Sequence, residues 1–120
     1  MKESTIRNAR IGSTVLGSED HGIMSFYLNL DYGGGGQGAG GYALDEYDKS
    51  LDRRIGRGHG IEIIKRILVT VGVSKWEDLP GKYVRCEQTD SKVLGIGHII
   101  EDKWLNFKEL IEELKGWEEK

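Results

Sequence analysis

The run RRIGRGHGIEIIKR, residues 53–66, carries residue types that can do chemistry. Gly56, Gly58 and Gly60 alternate with Arg57 and His59 directly ahead of an apolar stretch with helical spacing. Glycine lets a backbone come close to a ligand because no Cβ intervenes. The first turn of a helix offers unpaired N–H groups and a partial positive charge. Arg57 can add a charge-assisted hydrogen bond worth about 1.5–3 kcal/mol. Together these make a candidate anion site, for which phosphate is the usual occupant. Arg57, Gly58 and His59 are its candidate ligand-binding residues, with Arg53 and Arg54 as further donors. The motif is not a P-loop, since no Gly-Lys-Ser/Thr follows. Nor is it the dinucleotide fingerprint, since its spacing is GxGxG and no apolar strand precedes it. A flexible connection with solvent-facing arginines fits the same residues.

A second glycine run, GGGGQGAGG at 33–41, is flanked by Tyr32, Tyr42 and Tyr47. It reads either as a disordered hairpin tip or as a loop lying flat over a ligand or along a partner chain. In the second reading Gln37 is its donor and acceptor, and the tyrosines stack on a base or simply pack as strand residues. Catalysis has little to stand on. His21, His59 and His98 are far apart and lack metal-ligand spacing. His98 alternates with Ile96 and Ile100 and reads as a satisfied strand histidine. The one cysteine, Cys86, excludes an internal disulfide and reads as a small half-buried hydrophobe on a strand. Asp45, Glu46, Asp48 and Asp52 read as a solvated acidic turn, without the glycine of a calcium loop. The expectation is a non-enzymatic protein with no catalytic residue, metal or cofactor.

The elements that must position these residues follow from periodicity. Residues 4–16 and 22–31 read as strands joined by a hairpin turn within GSEDHG. In the second, Met24, Phe26, Leu28 and Leu30 share one face. Residues 41–47 read as a third strand or an extended return. Over 60–72 the period changes, and Ile61, Ile64, Ile67, Leu68 and Val71 mark one face of a helix with Gly72 as its stop. Residues 82–89 and 92–100 read as an antiparallel pair, after a turn holding Pro80. Asn106 with Glu109 resembles a capping box. Phe107, Leu110, Ile111, Leu114 and Trp117 then line a final amphipathic helix. The fold class is α+β: one compact antiparallel β-sheet domain, residues 1–120, with two amphipathic helices.

Bulk composition narrows the partners. The chain has 120 residues, 38% hydrophobic and 31% charged, with net charge −3. That suits one folded domain of modest core that gains from oligomerisation. The total charge does not call for DNA or an anionic membrane. No apolar run is long enough to span a bilayer, and the N-terminus lacks a signal-peptide core, so a cytoplasmic location is expected. Charge is nevertheless uneven: Lys49, Arg53, Arg54, Arg57, Lys65 and Arg66 face only Asp52 and Glu62 across 49–66. A locally basic segment in an acidic chain suits a small anionic ligand better than a long polyanion.

Three segments taken in order, GSEDHGIMSFYLNL (17–30), GQGAGGYALDEYD (36–48) and GVSKWEDLPGKYVR (72–85), resemble the phage anti-Thoeris proteins that act as signal sponges. The resemblance covers most of residues 4–105. It implies a compact α+β protein, assembled as a dimer or hexamer, in the host bacterial cytoplasm. Such a protein sequesters cyclic ADP-ribose isomers made by TIR-domain immune enzymes and does not cleave them. Some members also hold cyclic di- or trinucleotides at a separate site. Under this resemblance the diphosphate falls to Arg57, Gly58 and His59. Gln37 and the rings of Tyr42, Tyr83, Trp76 or Trp104 are candidates for the rest of the ligand. Glycines 33–36 and Ala39 depart from the bulkier residues the family would carry there. A competing expectation is a small phage protein that binds single-stranded nucleic acid through an OB-like fold, using Tyr27, Tyr83 and Arg85. A hydrolase of the same signal would need a nucleophile or base that the residues do not suggest.

Overall fold

Alternation along the first third of the chain builds a hairpin. In the computed structural model, which describes residues 3–115, Thr5–Asp20 forms β1 and Ile23–Asp31 forms β2. They pair antiparallel around His21 and Gly22, both at positive φ. Phe26, Leu28 and Leu30 are buried, while Tyr27, Asn29 and Asp31 are exposed, as a strand with one wet face requires. β1 is irregular: its register against β2 slips between Ile11 and Thr14, the kind of bulge that bends a strand and adds twist.

The glycine run corrects the sequence expectation. It is neither a disordered tip nor a loop over a ligand. Gly33–Gly35 turn the chain, and Gly36–Ala43 is a strand, β3, paired antiparallel with β2. Ala39 sits opposite Leu28 in the core, and Gln37 sits opposite Leu30. Glycine is required at Gly40: its φ is 131°, and a Cβ there would lie 2.3 Å from the Phe26 carbonyl oxygen. The strand was hidden because glycines occupy its outward positions opposite Tyr27, Asn29 and Asp31, leaving no alternation to read.

Next come Asp45–Asp48 (β4) and Arg53–Gly56 (β5), a separate two-stranded hairpin. The acidic run is therefore partly strand, not a wholly solvated turn. Helix α1 spans Gly58–Val71 and ends on Gly72, whose φ of 92° and N–H bond to the Leu68 carbonyl form a left-handed cap. Its buried stripe is Gly60, Ile63, Ile67, Thr70 and Val71. Of the expected stripe, Ile67 and Val71 are buried and Ile64 and Leu68 pack partly buried against the core, but Ile61 is 65% exposed, because Gly60 packs inward instead. A short 3-10 turn, Trp76–Asp78, leads to Tyr83–Thr89 (β6), Lys92–His98 (β7) and Trp104–Asn106 (β8). Helix α2 follows at Phe107–Leu114, where the Asn106 side chain accepts from the Glu109 N–H. Trp117, expected on this helix, lies outside the described residues.

Six strands form one antiparallel sheet in the order β3-β2-β1-β6-β7-β8. β1 serves both halves, pairing through Thr5–Arg10 with β6 and through Arg10–Asp20 with β2. The sheet curls until β3 meets β7. At the adjoining β6–β7 turn Gln37 Nε2 donates to the carbonyls of Thr89 and Asp90 at 3.1 and 3.4 Å. The path is a meander, then a helix, then a hairpin returning to the other edge of β1. It is a five-strand arrangement of the kind found in OB barrels, with β8 and α2 added. Ile11, Phe26, Leu28, Ile67, Leu79, Val84, Ile96 and Phe107 fill the interior, each such residue contributing about 1.5–3 kcal/mol.

Candidate functional site

The arginine–glycine run opens onto a groove of about 550 Å³, within the range of small-ligand sites, about 300–1,000 Å³. Leu16, Met24, Leu44, Ile61 and Ile64 make its apolar walls. They come from the β1–β2 hairpin, the β3–β4 junction and α1. Arg54, Arg57 and Asp45 are the charged residues of its lining. Gly60 brings the helix into place. A Cβ on Gly60 would stand 2.0 Å from the Leu44 carbonyl oxygen, so only glycine lets the first turn of α1 rest on the β3–β4 junction.

The charges are arranged in two pairs. Arg54 Nε donates to Asp45 Oδ1 at 2.9 Å, and its Nη2 donates to the Asp45 carbonyl at 3.0 Å. The Met24 N–H also reaches Oδ1, at 3.2 Å. The hydrogen bond from Arg54, with help from Met24, holds the Asp45 carboxyl below the usual carboxylate range despite burial. Its side chain is 11% exposed. Arg57 Nε lies 3.1 Å from Glu46 Oε1, a carboxylate 55% exposed. Arg57 Nε is itself buried while Glu46 is largely exposed, so a ligand phosphate entering the groove would compete with that carboxylate for the guanidinium. Arg57 is also the N-cap of α1, in extended conformation and with no side-chain cap bond. Its guanidinium and the start of the helix therefore belong to one locus.

The other expected ligand residues do not gather here. Gly58 and His59 open α1 but do not line the groove. Gln37 spends its amide on the barrel seam, and its Oε1 accepts from the Tyr32 hydroxyl at 2.6 Å. Tyr42 is a packing residue: its ring stacks on Phe107 at 5.5 Å, and burial pushes its hydroxyl pKa up. Trp76 packs edge-on to Phe26, with Nε1 donating to Thr14 Oγ1. Tyr83 and Trp104 lie on the outer face of the barrel. There the Trp104 ring covers Gly97, and the Arg85 guanidinium stands 4.7 Å from the ring centre. Tyr83 shares that face and is 59% exposed.

The remaining polar candidates have structural partners. Cys86 is fully buried, and burial pushes its thiol pKa up, the reverse of an activated nucleophile. The Tyr32 hydroxyl lies 3.5 Å from its sulfur, and Arg7 covers the Tyr32 ring. His98 Nδ1 accepts from the Ile100 and Glu101 N–H groups, as a satisfied histidine should. Among the described residues no group of His, Cys, Asp or Glu can hold a metal ion, and no helix is long and apolar enough to cross a membrane.

Sequence reasoning misses Asp45, which it groups with the solvated turn, and the apolar walls. One signal was available for Asp45. The acidic segment DEYD and the basic segment RRIG are complementary across a short turn, and in the hairpin Asp48 faces Arg53, an opposite-charge cross-strand pair. Comparison with protein-family models, curated proteins and solved structures yields no match to this chain.

Proposed function

We propose that the chain is a binding protein that takes up a small phosphorylated nucleotide, of the cyclic ADP-ribose class, and sequesters it without cleaving it. The single observation behind this reading is that the arginine–glycine run places Arg54 and Arg57 in the lining of a mostly apolar groove of about 550 Å³. A diphosphate docked there exchanges the Glu46 carboxylate for its own oxygens on Arg57. The base and sugars lie along Leu16, Met24, Ile61 and Ile64. Nanomolar retention requires about −12 kcal/mol, which favours a groove that a second copy of the chain helps to enclose. The dimer or hexamer implied by the resemblance meets that need, and so does a role against TIR-based immunity in the host cytoplasm.

The test is titration calorimetry with cyclic ADP-ribose isomers, followed by heat release and chromatography of the ligand. Intact ligand is the expected product, and fragments would replace the sponge with an enzyme. Arg57→Ala should weaken binding by tenfold to a hundredfold, the equivalent of losing about 1.5–3 kcal/mol. Unchanged affinity would move the phosphate elsewhere.

One set of observations favours a second reading, single-strand nucleic-acid binding: the OB-like strand path and the outer-face group of Tyr83, Arg85 and Trp104. Net charge −3 weighs against it. Steeply salt-dependent quenching of tryptophan fluorescence by oligo-dT would support it over the sponge.

A further inference from the structure

We infer that Asp45 is the specificity residue of the groove: its carboxylate accepts a hydrogen bond from a sugar hydroxyl or exocyclic amine of the ligand and turns away bare phosphates. This rests on the reading of the groove as a phosphate site and says which phosphates enter. Asp45 lines the groove beside Arg54 and Arg57. Its side-chain bonds among the described residues converge on one oxygen, Oδ1, which receives Arg54 and the Met24 N–H. An ionised carboxylate has about four acceptor positions over two oxygens, so Oδ2 is the acceptor that remains for a ligand. The side chain is 11% exposed, and Oδ2 is not among the buried unpartnered atoms of the described residues, so it is the part of the carboxylate that a ligand in the groove can reach.

The placement has two chemical consequences. A ligand bearing both an anion and a donor satisfies Arg57 and Asp45 together. A ligand that is anionic throughout gains Arg57 but puts negative charge against Asp45, in a site where charges are poorly screened. A site built to pair with an O–H or N–H rejects analogues that lack it far more strongly than an apolar pocket rejects a missing methylene. The ligand class is therefore a nucleotide with a free ribose hydroxyl or an amino-substituted base, in preference to pyrophosphate or a polyphosphate.

Calorimetry with cyclic ADP-ribose, ADP, 2′,3′-dideoxy-ADP, inosine diphosphate and pyrophosphate tests this on the wild-type chain and on Asp45→Asn. In the wild type, pyrophosphate should bind at least tenfold more weakly than ADP. Either the dideoxy compound or the inosine compound should also lose about tenfold, and which one does so identifies the donor. Asp45→Asn should lose about tenfold for ADP while gaining severalfold for pyrophosphate. A general disturbance of the hairpin does not produce that crossover. An equal loss for both ligands, or dideoxy and inosine compounds that both bind like ADP, overturns the assignment and leaves the phosphate reading standing. If no phosphate compound binds the wild type, both fall. The analogue series needs only the wild-type chain, so it decides the matter even if the variant does not fold.

Discussion

Gly60→Ala should be the most informative single change in the molecule. In most helices this substitution gains stability, about 1 kcal/mol on propensity alone. At Gly60 the added carbon would stand 2.0 Å from the Leu44 carbonyl oxygen and 2.9 Å from the carbonyl carbon, whereas ordinary contact begins at 3.4 Å. The obstacle is backbone, so no side chain can rotate away. The first turn of α1 or the β3–β4 junction must move by more than about 1 Å. Overpacking on this scale costs about 1–3 kcal/mol, and a clash against main chain belongs at the upper end. The net expectation is a loss of about 1–2 kcal/mol after the propensity gain. The same shift separates Arg57 from Asp45, so nucleotide affinity should fall by about tenfold, or 1.4 kcal/mol. Gly56→Ala is the stability control: a Cβ there meets nothing within 4 Å, and its stability should change by no more than about 0.5 kcal/mol. Urea denaturation compares the two variants through their midpoints at a common slope. If Gly60→Ala proves as stable as Gly56→Ala, the argument that this glycine seats the helix on the groove is wrong.

Two further outcomes follow from the same contacts. Asp45 has a folded-state pKa below its unfolded value of about 3.9. Its contribution is present above that value and is lost as pH falls through the depressed folded pKa. Denaturation midpoints of the wild type should therefore fall more steeply than those of Asp45→Asn as pH drops below about 4, and parallel curves would contradict the Arg54 strut. Asn106→Ala removes the acceptor for the Glu109 N–H and should cost about 1 kcal/mol, read from the same urea midpoints.

The architecture was readable where side chains alternate or recur. The β2 face of Phe26, Leu28 and Leu30, the β6–β7 pair, the Gly72 stop and the Asn106 cap all left a pattern. β3 left none, because a strand whose outward positions are glycine has no polar face. β5 and β8 are too short to establish a period. The helix stripe is misread only at its start, because Gly60, invisible to any hydrophobic count, occupies the buried position there and Ile61 does not. At the candidate site, the placement of Arg57 at the start of α1 was legible because glycines ahead of a helical period mark where a helix begins. Asp45 was not, because its role depends on Arg54 across a hairpin and on the Met24 backbone, more than twenty residues away. Tyr42, Tyr83 and Trp104 show the converse limit. Aromatic character alone does not tell whether a ring enters the core, as Tyr42 does, or an outer face, as the other two do.

The divided pairing of β1 has a consequence during synthesis. Thr5 is bonded opposite Gln88, and Arg10 opposite Tyr83. β1 therefore leaves the ribosome before β6 and waits for it before the hydrogen bonds of its Thr5–Arg10 half can form. Until then its N-terminal edge is open, and pairings so distant in sequence form slowly. A nascent chain in that state is exposed to association with other unfinished copies. Its outward residues there are Ile6, Asn8 and Arg10, and the two polar ones discourage such edge-to-edge joining.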